Sequence, residues 1–191
     1  MKRIDKAKHT EIPLTIQKEL LLNGKSVAIL AGSEFSKKEG ITLTQQVSDY
    51  YNSLGGKVMS PVYGDIILDK QAVEDDFAHG VGRIKAIAFA AVPDVIKKGI
   101  IILLLGKHKK DEKILSAMIA APITIGMDEY IGVVVIRQYH SGNKKLYQIP
   151  ATNQGVMLES SIGSSNPAQI PATNQGNIAK ILQNIISAKC D

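Results

Sequence analysis

Cysteine is nearly missing. Cys190 is the one such residue among 191, which excludes an internal disulfide and a cysteine-based zinc centre. Tryptophan is absent and phenylalanine occurs three times, so the core must be aliphatic and stacking platforms for single-stranded bases are scarce. No apolar run reaches the roughly 18 to 20 residues that a membrane helix needs. Ile100 to Leu105 is a short burst, and Ser116 to Ile136 is broken by Pro122, Asp128 and Glu129. The N-terminal MKRIDKAKHTEIP has the cations of a secretory signal but not the apolar stretch that follows them in one. His9, His79, His108 and His140 are scattered without ligand spacing, so neither a metal site nor a cofactor is expected. Glu74, Asp75 and Asp76 sit early in a helical stretch, where anions are favourable without a cation. A Gly-x-Ser-x-Gly elbow for acyl transfer is absent, as is a Walker loop.

Hydrophobic residues make up 45% and charged residues 21%, too apolar for wholesale disorder and enough for one domain with extensions. The net charge is +5 and unevenly spread. Residues 1–33 hold six cations and three anions, 34–56 two and three, 57–150 thirteen and ten, and 151–191 two and two. The basic excess therefore lies at the N-terminus and in the middle, which suits a polyanionic partner.

The patterning predicts a short helix over Leu14 to Leu22 and a strand over Ser26 to Ala31. A helix follows from Glu34 to Leu54, with Leu43, Val47, Tyr50 and Leu54 at helical spacing, ended by Gly55-Gly56. Lys57 to Asp69 reads as extended. Gln71 to His79 has helical character, and a stronger helix runs from Arg83 to Lys98, kinked or split by Pro93. Strands are expected at Ile100 to Leu105, Leu115 to Ala121 with Ile123 to Ile125, Tyr130 to Arg137, and Leu146 to Ile149. Pro122 marks an edge or bulge position. Helices first and strands afterwards make an α+β domain, with N-terminal helices packed on a four- to five-stranded antiparallel sheet.

The tail carries a repeat. Ile149-Pro-Ala-Thr-Asn-Gln-Gly155 recurs as Ile170-Pro-Ala-Thr-Asn-Gln-Gly176. Two copies are too few for a solenoid. The division expected is a basic N-terminal segment or linker over 1–27, the α+β domain over 28–150, a flexible linker over 151–177, and an amphipathic helix over 178–191.

Three groups of residues carry chemistry. In Ala78-His79-Gly80-Val81-Gly82-Arg83-Ile84-Lys85, a glycine-flexed turn opens a helix, where backbone N–H groups can meet a phosphate. His79 would add a proton carrier, and Arg83 and Lys85 two cations. The alternative is a helix joint whose glycines serve packing. Lys107-His108-Lys109-Lys110 follows a strand and reads either as a phosphate-contact surface or as a solubilising loop tip. Arg137, Tyr139 and His140 close the best strand. If Val133 and Val135 face inward, Arg137 shares their face.

In combination, these phrases resemble a known family. Gly64-Asp-Ile-Ile-Leu, Phe77-Ala-His79-Gly80, Lys85-Ala-Ile-Ala-Phe-Ala-Ala-Val-Pro93-Asp-Val-Ile96-Lys-Lys-Gly99, Ala120-Ala-Pro122-Ile-Thr-Ile-Gly126 and Tyr130-Ile-Gly-Val-Val-Val follow in that order. The order is similar to phage-type nuclease domains of the barnase–EndoU–colicin–RelE-like superfamily, over roughly residues 28 to 149. Such domains end phage polyvalent proteins and polymorphic or contact-dependent toxins. The resemblance implies metal-independent RNA cleavage, with tRNA a frequent substrate, and a monomer neutralised by a dedicated immunity protein. It also implies a delivered effector acting in a target-cell cytoplasm, or a phage-associated protein of the cytoplasm.

The implied chemistry has a ribose 2′-OH attack the adjacent phosphate. It needs a base, an acid for the leaving 5′-oxygen, and cations for the charge that develops. His79 matches the family's His-Gly position, and Lys85 its helix position. Lys107, Lys109 and Arg137 are candidates for transition-state or backbone phosphate contacts, Arg137 as a catalytic residue, together with Arg83, His108 and Lys110 as RNA-binding residues. Family members commonly end the last strand with an aromatic and a His-Glu pair, where this chain has Lys145-Leu-Tyr147-Gln148-Ile149-Pro150. Either Tyr147 or Gln148 takes that place, or His140 supplies it, or the domain binds without cutting.

Overall fold

The computed structural model describes residues 12–68, 70–71, 73–74, 82–105, 113–139, 143–148, 151–153 and 175–188. The elements are α1 (Leu14–Leu22), β1 (Ile29–Leu30), α2 (Leu43–Ser53), β2 (Lys57–Ser60), β3 (Gly64–Ile67), α3 (Arg83–Ala88), a 3₁₀ turn (Phe89–Ala91) and α4 (Val92–Lys98). Then come β4 (Ile100–Leu105), β5 (Lys113–Ile125), β6 (Asp128–Tyr139), β7 (Lys144–Gln148), β8 (Ala151–Asn153) and α5 (Gln175–Ile186). The α+β class is observed.

The sheet differs from the expected antiparallel four or five strands. Its eight strands are joined in the order β1-β5-β6-β7-β3-β2, with β4 also on β5 and β8 also on β6. Two pairings are parallel, β1 with β5 and β3 with β7. The extra strands are short pieces, read from sequence as loop or as one extended stretch. Lys57 to Ile67 turns back on itself at Pro61 to make the β2–β3 hairpin.

Pro122 is the clearest correction. It lies inside central strand β5, opposite Ile131 of β6, and is buried. On the other side of β5, β4 pairs as far as Ala120 and β1 begins at Thr124. The residue without an N–H therefore falls in the gap between two neighbours, where its carbonyl still accepts from Val27 N–H at 2.9 Å.

The helix expected from Glu34 begins nine residues later, at Leu43. Thr42 caps it, its hydroxyl accepting from Gln45 N–H at 3.1 Å. Before that, Phe35 holds a positive φ of 51°, which no helix tolerates. Gly55 and Gly56, at φ 84° and 67°, end α2 as their sequence predicts. The long helix from Arg83 is split, with Pro93 buried in the first turn of α4, where its missing N–H costs nothing.

Helices cover both faces of the sheet. On one, Val47 and Tyr51 of α2 and Ile87, Val92, Val95 and Ile96 of α3–α4 pack on Ile119, Ile123, Val134 and Ile136. The phenols of Tyr50 and Tyr51 donate to the carbonyls of Ala90 and Phe89, tying α2 to the 3₁₀ turn. On the other, Leu21 of α1 and Leu182, Ile185 and Ile186 of α5 pack on Met118, Ala120, Ile131, Val133 and Val135. The segment expected as an N-terminal linker thus contributes core through α1. The expected linker contributes β8, built from the first heptapeptide copy and paired with Tyr130 to Gly132. The last two residues of the second copy begin α5. Among the described residues, no helix is long and apolar enough to cross a membrane.

Gly99 joins α4 to β4 where no side chain fits. A methyl group there would stand 2.6 Å from the Val95 carbonyl oxygen and 2.9 Å from that of Ala120. Both are backbone atoms of packed elements, so Gly99→Ala should lower stability by about 1–3 kcal/mol, read as a shifted denaturant midpoint with unchanged slope. Alkaline pH is a second probe. Burial pushes the Tyr63 phenol up to about 12, and burial followed by the nearby Asp94 charge raises Tyr50. A phenol ionises near 10 in the unfolded chain. The unfolded state therefore sheds its proton first, and stability present below pH 10 is lost as pH rises through about 12. Tyr63→Phe should flatten that loss in denaturation curves recorded on either side of about pH 10.

Candidate functional site

Gly82 is the N-cap of α3, and the first helical residue, Arg83, organises the loop after β1. The Arg83 guanidinium donates to the carbonyls of Glu34 at 2.7 Å, Phe35 at 2.9 Å and Gly32 at 3.2 Å. The Glu34 carboxylate accepts from the N–H groups of Ala31 at 2.6 Å and Gly32 at 2.9 Å. A planar fork suits several carbonyls at once, where a lysine ammonium would satisfy fewer in fixed geometry. Among the described residues, the acceptors of Arg83 are neutral, so its charge is not cancelled at contact.

Beside this cluster opens a pocket of about 430 Å³, lined by Phe35, Ser36, Lys37, Ile41, Leu43, Gln46 and Arg83. It is of ligand size. It combines two cations, a phenyl ring and an amide. The Phe35 ring meets Tyr50 edge-on at 5.7 Å. Sequence reasoning found Arg83 but missed Phe35 and Lys37, because residues 34–42 were read as helix, and Gln46, which nothing in its helical spacing singled out. The cue available was Gly40 followed closely by Thr42, a cap signal inside the supposed helix.

His79 lies outside the described residues. Three residues lie between it and Arg83 in sequence, and four steps of chain reach at most about 14 Å. Lys85 stands one position beyond Ile84 in α3 and is half-buried. Arg83 and Lys85 thus share α3.

Arg137 belongs to the opposite end. Leu30 of β1 pairs with Ile125, which pairs with Asp128 at the start of β6. Arg137 stands nine positions beyond Asp128 in β6, about 30 Å of strand. The structure therefore does not bring Arg83 and Arg137 together.

The Arg137 end has a character of its own. Arg137 stands opposite Ser116 of β5 and Lys145 of β7, and strand alternation puts it on the face of Val133 and Val135, as expected. Directly opposed residues hold their Cβ atoms about 4.5–5.5 Å apart, and two like charges so placed repel. Lys113 pairs with Tyr139; Lys107, His108, Lys109 and Lys110 precede the one in sequence and His140 follows the other. Those five residues lie outside the described set. Tyr147 is in β7, where the register shifts: Gln148 pairs with Val135 and Leu146 with Ile136, leaving Tyr147 as the extra residue of a bulge. Bulges of this kind gather near functional sites. Its side chain is outside the described set. Among the described residues, no group of three or more His, Cys, Asp or Glu gathers that could hold a metal.

Comparisons of the chain with family models, with curated proteins and with solved structures find no match.

Arg83→Gln should free the loop after β1. Faster amide exchange at Ala31 and Gly32, with the protection of β5 and β6 unchanged, is the expected result. Unchanged exchange in the loop would show that Glu34 holds it alone.

Proposed function

We propose that the chain is a toxin-type, metal-independent ribonuclease acting on RNA, with tRNA the first substrate to try. The observation that supports this most is the pocket beside Arg83, which offers two cations and an aromatic ring within chain reach of His79. In this reading the pocket receives a nucleotide of the substrate. His79 takes the proton of the ribose 2′-OH, the 2′-oxygen bonds to the adjacent phosphorus, and the bond to the 5′-oxygen breaks. That oxygen leaves with a proton, giving a 2′,3′-cyclic phosphate and a 5′-hydroxyl end. Lys85 and Arg83 stabilise the charge on the phosphoryl oxygens. Arg137 and Lys145 grip the RNA backbone farther along, with Lys107, His108, Lys109 and Lys110.

The family resemblance carries the remaining proposals. The α+β sheet is taken as an elaborated barnase–EndoU–colicin–RelE-like sheet. The chain is taken to act as a monomer, delivered into a target-cell cytoplasm or acting with a phage, and held in check by an immunity protein.

A second reading is a non-catalytic RNA- or protein-binding module. Two observations favour it. The about 30 Å of strand between Arg83 and Arg137 keeps the expected residues out of one centre. β7 also ends without the His-Glu pair that relatives in the resembled family commonly have. Here Tyr147, Gln148 and His140 have no catalytic part.

One experiment separates the readings. The full chain and His79→Ala are incubated with total tRNA and rRNA in EDTA. Fragments with cyclic phosphate ends, lost in the variant, are expected. Intact RNA with retained binding by a folded protein selects the second reading. In both, replacing Arg137 and Lys145 by alanine should lower the slope of log affinity against log salt by about 1.4 on single-stranded RNA, about 0.7 per cation.

A further inference from the structure

The residues that line the pocket beside Arg83 are of two kinds. Phe35, Ile41 and Leu43 are apolar, whereas Lys37, Gln46 and Arg83 carry hydrogen-bond donors. The aromatic member is fixed in advance. Phe35 holds its φ of 51°, a conformation uncommon outside glycine and one that gathers at ligand clamps. Its carbonyl accepts from Arg83, and its half-buried ring meets Tyr50 edge-on. A flat group that stacks on this ring therefore finds it already placed.

One amide in the lining is spare. Gln45 and Gln46 are neighbours in α2, yet they differ. The Gln45 amide donates to the Asp49 carboxylate at 2.6 Å. Among the described residues, the half-buried side chain of Gln46 has no partner, although its backbone N–H is tied to the Thr42 carbonyl at 3.0 Å. The exposed Lys37 ammonium has none either. No carboxylate is among the lining residues, and that of nearby Glu34 is taken up by the N–H groups of Ala31 and Gly32. The pocket thus offers an amide mounted on a helix, with donor and acceptor side by side, next to two cations.

We propose, on the reading of this pocket as a nucleotide site, that it is specific for adenine. The base lies on Phe35, Gln46 reads its edge, and Lys37 and Arg83 hold the phosphate. A side-chain amide matches adenine with two hydrogen bonds, donating to N7 and accepting from the 6-amino group. Guanine fits less well. Its N1–H and 2-amino groups ask for a pair of acceptors such as a carboxylate, which the lining lacks. Arg83, which could otherwise fork onto guanine O6 and N7, already engages three backbone carbonyls. Cytosine and uracil cover less of a phenyl ring than a purine does.

The test uses the full chain with the 5′-monophosphates of adenosine, guanosine, cytidine, uridine and purine riboside, the last of which lacks the 6-amino group. Calorimetry should show one adenosine monophosphate per chain, bound about tenfold or more tighter than each of the others. Gln46→Leu should bring adenosine monophosphate to the level of the purine riboside compound, with an unchanged circular dichroism spectrum. Lys37→Ala should weaken adenosine monophosphate and leave adenosine as it was. Equal binding of the adenosine and purine riboside compounds by the unaltered chain overturns the proposal. So does a preference for adenine that survives Gln46→Leu, displacement by inorganic phosphate at equal concentration, or no binding of adenosine monophosphate. Mapping the cut sites on an RNA of mixed sequence separates adenine specificity from ribonuclease activity. Cutting without preference for adenosine refutes the first and leaves the second. Selective binding of adenosine monophosphate by a chain that leaves RNA intact does the reverse.

Discussion

The β5–β6 hairpin is the pairing on which everything else rests. Its register runs from Lys113↔Tyr139 to Ile125↔Asp128 around the tight Gly126-Met127 turn. Every other strand except β3 and β2 attaches to one of these two, and both helical layers pack on their side chains. Alternation does the sorting. Ile119, Ile123, Val134 and Ile136 face α2 and α3–α4, while Met118, Ala120, Val133 and Val135 face α1 and α5. A one-residue slip would exchange the two sets and lose both cores at once. Burying an Ile or Leu fully is worth about 1.5–3 kcal/mol, so register here is fixed by many such terms acting together.

The hairpin also decides what the polar residues can do jointly. Its length sets the distance between the loop held by Arg83 and the cations around Arg137. Of the residues that carry charge along the sequence, Arg83 falls beside a pocket and Arg137 opposite Lys145 at the other end of the hairpin. An RNA molecule is large enough to meet both. A small substrate is not, and this favours a macromolecular ligand in either functional reading.

Legibility in the sequence followed local strength of pattern. β4 and α1 were readable to the residue because each is a clean run with punctuation at its ends, Gly99 and Gly106 for one, Pro13 and Gly24 for the other. β6 and the split at Pro93 were readable for similar reasons. Pairing was not. Nothing local announces that two residues, Ile29 and Leu30, add to β5 in parallel, or that the heptapeptide serves as strand in one copy and as helix start at the end of the other. Pro122 misled because proline usually marks an edge, and the gap that admits it exists only once β1 and β4 share one side of β5. Phe35 and Lys37 were hidden by helical spacing that the positive φ of Phe35 defeats. Arg83 was legible as a cation but not as the clamp on three carbonyls.

The parallel pairing of β1 has a consequence for the order in which the chain assembles. The β5–β6 turn closes over two residues, whereas pairing Ile29 with Thr124 closes most of the chain between them. Each doubling of a closed loop adds about 0.6 kcal/mol of entropy to overcome. The hairpin is therefore the natural nucleus, and β1 can join only after α2, α3 and α4 have shortened the path. The loop clasped by Arg83 hangs directly from β1. The pocket proposed for the nucleotide is thus among the last parts of the molecule to form and the first to open when it loosens.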